Sequence, residues 1–84
     1  MRETGIFILH VSQGTFIVKV LHICDTLQMF AENMDDRETC NQKLIHLFDD
    51  GIKCDSLQEA SDQCLELSEH NETLRGGIHE LWIY

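Results

Sequence analysis

The sequence predicts an α+β fold, an antiparallel sheet with helices on one face, and three observations carry that prediction. Two β-branched apolar runs, GIFILHV (Gly5 to Val11) and TFIVKVLHI (Thr15 to Ile23), flank a short loop that contains a glycine. Two later segments repeat apolar residues at helical spacing. A last run, IHELWIY (Ile78 to Tyr84), alternates as a strand does. The chain has 84 residues, the size of one domain, and no linker, repeat or low-complexity tract divides it.

The first two runs read as a hairpin turning at Ser12-Gln13-Gly14. In the second, Phe16, Val18 and Val20 share one face, and Ile17, Leu21 and Ile23 share the other. A half-buried antiparallel strand would alternate with polar residues. This one is either central and covered on both sides or has a face that meets a partner.

Thr26 to Asn33 (TLQMFAEN) fits two readings. As a third strand it places Leu27, Met29 and Ala31 on one face. As a short helix it would be capped by Asp25. The strand is favoured, because a meander extends the sheet naturally.

Asp35 to Gly51 reads as a helix capped by Asp35 or Asp36, with Cys40, Leu44, Leu47 and Phe48 as its apolar stripe and Gly51 just past its end. Cys54 to His70 carries the strongest local signal. Ser56-Leu57-Gln58-Glu59 matches a capping box. Leu57, Ala60, Cys64 and Leu67 then share one side, and Glu59, Asp62, Glu66 and Glu69 the other, the stripes lying roughly 160° apart. Asn71 to Gly77 reads as a turn and Ile78 to Tyr84 as a strand beside an early one, for an order of βββααβ.

Charge narrows the function classes. The net charge is −9, from 15 acids and 6 bases. Phosphate repels such a chain, so direct nucleic-acid binding is not expected, nor is an anionic membrane surface. Basic proteins, peptides or cations are the expected partners. Residues 1–31 and 73–84 are each neutral, whereas residues 32–72 hold twelve acids and three bases. The excess therefore falls on the two predicted helices and their connections. A solvated outer face accounts for charge, but mixed charge would serve equally and supply stabilising pairs. The stripe on the second helix has no base. Asp49 and Asp50 sit where a helix C-terminus disfavours anions, by about 0.3–1 kcal/mol each.

The remaining chemistry is sparse. The four cysteines, Cys24, Cys40, Cys54 and Cys64, come without a signal peptide, and three fall at apolar positions. They read as reduced residues in a cytoplasmic protein. Asn71-Glu72-Thr73 matches a glycosylation sequon, which needs secretion to matter. No apolar run is long enough to span a bilayer. His22 and Cys24 are the nearest pair of metal-ligand types, but no C-x-x-C accompanies them, and Asp49, Asp50 and Asp55 lack the spacing of a calcium loop. His10, His22, His46, His70 and His79 are scattered, and Gly76-Gly77 is no phosphate loop. No catalytic residue, cofactor or metal is expected, and the chain is not read as an enzyme.

Two functional expectations remain. Carboxylates three or four residues apart on a helix lie about 5–6 Å from one another, similar to phosphates along a nucleic-acid strand. In size, charge and lack of catalytic motifs, with acidic stretches at Glu32–Glu38 (ENMDDRE), Asp49–Asp50 and Glu59–Glu72, the chain resembles short phage-encoded inhibitors of nucleic-acid-binding defence enzymes, the anti-CRISPR proteins among them. That resemblance implies a non-enzymatic inhibitor in the host cytosol. Its acidic face, drawn from Glu59, Asp62, Glu66, Glu69, Asp35, Asp36, Asp49 and Asp50, would occupy the basic groove of a nucleic-acid-binding protein such as a CRISPR effector. The alternative is a self-associating adaptor, a homodimer working through its apolar sheet with Ile17, Leu21, Trp82 and Tyr84.

Overall fold

In the computed structural model, residues 3–70 and 77–83 are described, and four strands and three helices alternate as ββααβαβ. The hairpin forms as its sequence implies. β1 (Thr4–Ser12) and β2 (Thr15–His22) pair antiparallel from Thr4 with His22 to His10 with Phe16. Gly14, at φ 75°, takes the left-handed turn position that costs a glycine nothing.

Ile23 leaves the sheet. α1 (Ile23–Asn33) replaces the third strand expected over Thr26 to Asn33. Burial explains the correction: Ile23, Thr26, Met29, Phe30 and Asn33 are buried or half-buried, a helical spacing, whereas Leu27 is 63% exposed and Ala31 is exposed. Thr26 is buried with its hydroxyl donating to His22 O at 2.9 Å. His22, not Asp25, holds the cap position, and no side chain caps this helix.

α2 (Arg37–Leu47) starts at Asp36, as expected. It ends earlier than Gly51, with Phe48 at its C-cap. Gly51 serves a different purpose. A Cβ there would lie 2.6 Å from Ile17 Cγ2 and 2.9 Å from Val18 O, so only glycine lets this connection press onto β2. The chain then adds β3 (Ile52–Cys54), a short strand that the sequence pattern does not signal, paired antiparallel with β2 at Val18 and Phe16.

α3 (Leu57–His70) is followed by β4 (Ile78–Trp82), which lies parallel to β1, with Ile6 opposite Ile78 and His10 opposite Trp82. The sheet, ordered β3-β2-β1-β4, is therefore mixed rather than antiparallel. Of the expected turn, residues 71–76 lie outside the described residues, as does Tyr84; Gly77 has φ 78°.

The helices cover both faces, not one. On the first face, Ile6, Ile8, Val18 and Cys54 pack with Ala60 and Cys64 of α3. On the second, Phe7, Leu9, Ile17 and Leu21 pack with Leu44 and Phe48, joined by Met29 and Phe30 of α1. This accounts for strands that are apolar on both faces: β1 and β2 are the inner strands, and each face has its own helical cover. Truncating a large residue in either core costs about 2–5 kcal/mol, comparable to the whole stability of a domain this small.

Candidate functional site

α3 is fixed from inside and capped at its start, which leaves its outer face free to carry charge. Ala60 and Cys64 are 0% and 1% exposed against the sheet, and Leu67 is half-buried beside them. The N-terminal cap is built by two side chains. Glu59 N donates to Ser56 Oγ at 3.1 Å, and Asp55 N donates to Glu59 Oε2 at 2.9 Å. The glutamate thus reaches one residue further back than the usual reciprocal box.

Glu59, Asp62, Glu66 and Glu69 are all exposed on this helix. They differ in their attachments. Glu59 belongs to the cap, and Asp62 accepts from Gln58 Nε2 at 3.1 Å. Glu66 and Glu69 accept no hydrogen bond and form no ion pair among the described residues. Leu65, 61% exposed, adjoins the row, falling outside the inward stripe by helical position. Its place off the Leu57, Ala60, Cys64, Leu67 stripe is the only sequence signal for it.

The other four predicted acids do not join this row. Asp35 and Asp36 precede α2, and Asp49 and Asp50 follow it, in the layer that covers the opposite face of the sheet. Asp36 is a cap, accepting from Thr39 N at 3.1 Å and from Thr39 Oγ1 at 2.7 Å. The Thr39 hydroxyl, then its amide, hold the Asp36 carboxyl below its ordinary range. Asp50 is bound by Lys19, whose Nζ also donates to Leu47 O at 2.7 Å. Lys19 holds the Asp50 carboxyl down as well. The same ammonium meets a carbonyl at the end of α2, where the macrodipole favours a cation, so the penalty expected for Asp50 is offset.

The candidates for self-association also separate. Ile17 and Leu21 are each 8% exposed and lie in the core of the second face, where they offer little surface to a partner. Trp82 is 48% exposed on β4, an edge strand, with Ile78 at 54% on the same face. The Trp82 ring stacks on His10 at 4.5 Å and 18°, and His10 Nε2 lies 3.1 Å from Glu80 Oε1.

Among the described residues, no group of three or more His, Cys, Asp or Glu side chains is placed to hold a metal ion, and no helix is long and apolar enough to cross a membrane. All four cysteines are free thiols. Cys54 and Cys64 are buried, and burial, then neighbouring charges, pushes both thiols up. Comparison with protein-family models, curated proteins and solved structures finds no match.

Proposed function

We propose that this chain is a non-enzymatic inhibitor that sets the outer face of α3 into the basic groove of a nucleic-acid-binding protein, a CRISPR effector being one such target. The observation that carries this reading is the row Glu59, Asp62, Glu66, Glu69, exposed along a helix anchored by Ala60 and Cys64 and containing no lysine or arginine. A rigid row of carboxylates matches a groove built for phosphates, and a half-uncovered Leu65 beside it supplies apolar contact. Asp35, Asp36, Asp49 and Asp50 lie in the other layer and take no part in this docking surface.

The test is capture from a nuclease-treated lysate at low and high salt, followed by nucleic-acid binding of the captured protein with and without the inhibitor. Because Glu59 caps α3, the informative variant is Asp62→Lys with Glu66→Lys and Glu69→Lys. The reading expects salt-sensitive capture of a basic protein, competition with its nucleic acid, and loss of both in the variant. Capture that ignores salt and charge reversal would overturn it.

A second reading rests on β4. Its outer edge has no neighbouring strand among the described residues, and Ile78 and Trp82 stand exposed along it. Pairing of two copies there would make a homodimer, with the near-neutral edge of a −9 chain as the meeting place. Light scattering on the chain and on Trp82→Ala separates the two readings.

A further inference from the structure

A cleft of about 470 Å³ opens between α1 and α2 above β2, on the sheet face opposite the α3 row. Its size falls within the range of small-molecule sites, which runs from about 300 to 1,000 Å³. The apolar part of its lining on this face is Leu21, Met29 and Leu47. The rim is different in kind. Lys43 and His46 stand three residues apart on α2, hence on one side of it, and His22 stands at the start of α1. None of these three side chains forms a hydrogen bond or ion pair among the described residues. α1 begins at this mouth without a side-chain cap; Ile23 N donates to Glu3 O at 3.1 Å, and the first-turn amides after it add partial positive charge. The sole carboxylate in the lining is Asp25, which already has an interaction of its own.

We propose that this cleft binds a small amphiphilic monoanion, a carboxylate on an aliphatic chain of medium length. The apolar lining takes the chain, and Lys43 takes the carboxylate with His46 and His22 beside it. A single charge is favoured because one lysine and two imidazoles, within a chain of net charge −9, cannot balance a polyanion. The site is independent of the acidic row on α3.

The test is calorimetric titration of the intact chain with sodium decanoate, 1-decanol and decylammonium chloride, with methyl NMR to locate each. The expected result is one decanoate per chain, shifts at Leu21, Met29 and Leu47, and weaker binding of both other probes. Lys43 is exposed, so Lys43→Gln keeps the fold, which circular dichroism checks. That variant is expected to weaken decanoate about fivefold while leaving decanol within about twofold. Equal affinity for decanoate and decanol, a preference for decylammonium, or shifts confined to Ile78, near Trp82 on β4, would each overturn the proposal, as would an unchanged decanoate affinity in Lys43→Gln.

Discussion

The two helical layers that enclose the sheet hold their acidic residues differently: the engaged acids of the α2 layer sit at the two ends of that helix, whereas α3 carries its acids in a row along one face. In the α2 layer two acids are engaged, Asp36 capping the helix through Thr39 and Asp50 bound by a lysine from β2, whereas the side chains of Asp35 and Asp49 have no partner among the described residues. In the α3 layer Glu59 is spent on the cap, and Glu66 and Glu69 have no partner among the described residues. The layers also pack differently. α3 lies on the sheet through small residues, Ala60 and Cys64, and fits closely. α1 and α2 reach it through larger ones, Phe48, Leu44, Met29 and Phe30, and leave a cleft between them. Local charge density alone therefore does not identify a surface for binding; the attachments of each carboxylate and its place on the helix do.

The largest effect that tests this contrast comes from the α2 side. Phe48 is 0% exposed, and Phe48→Ala is expected to cost about 3–5 kcal/mol, enough to leave the chain mostly unfolded in circular dichroism and urea titration. A loss under 1 kcal/mol would show that α1 and α2 contribute little to the fold.

Thiol reactivity compares the layers next. Cys24 is exposed on α1, whereas Cys54 and Cys64 are buried beneath α3 with raised thiols. With an aromatic disulfide reagent, Cys24 is expected to react at once and Cys54 and Cys64 only at the rate of opening, orders of magnitude more slowly. Rapid reaction of both buried thiols would mean that the α3 layer opens readily.

Acid titration follows. Asp36 and Asp50 are held below the ordinary carboxylate value of 3.8. A carboxyl whose folded value lies below its unfolded one adds stability that is complete above the unfolded value and is lost as pH falls through the folded one. The loss is therefore expected below pH 3.8, and Asp36→Asn with Asp50→Asn should flatten that limb of the thermal-melt profile. If the limb keeps its slope, the hydrogen bonds to Thr39 and Lys19 do not hold in solution.

The smallest effect belongs to the acidic row itself. Glu69→Lys removes a like charge from Glu66 and places a cation in the last turn of α3. It is expected to stabilise the free chain by about 0.3 kcal/mol while weakening capture of a basic partner. A variant that binds as well as the original chain would remove Glu69 from the docking surface.

How far the sequence reveals this molecule depends on the range of the interaction that decides each part. The hairpin, the capped start of α3 and its inward side at Ala60, Cys64 and Leu67 rest on neighbours a few residues apart and are legible, whereas Leu57, which the spacing assigns to that side, is 46% exposed. At α1 the sequence fits both a strand and a helix, the strand being favoured because Leu27, Met29 and Ala31 alternate by chance, and only the burial of Thr26 and Phe30 reveals the helical side. β3 is too short to show a period. The parallel direction of β4 and the second helical cover follow from packing across the whole chain. The candidate site divides in the same way: the face of α3 was legible, whereas the binding of Asp50 by Lys19 joins residues 31 apart and leaves no local trace. Nor does any pattern announce the cleft, which exists only because two helices meet one sheet.

The parallel pairing of β1 with β4 has a consequence for how the molecule is made. β1 finds β2 across a two-residue turn, early and quickly. Its other edge waits for Ile78–Trp82, far along the chain, to arrive after α3. During synthesis this strand, with Ile6, Phe7, Ile8 and Leu9 buried in succession, is left with an unpaired edge until β4 emerges. A chain stopped short of β4 keeps that edge as a template for its neighbours, so soluble yield depends on β4 arriving before two unfinished chains meet.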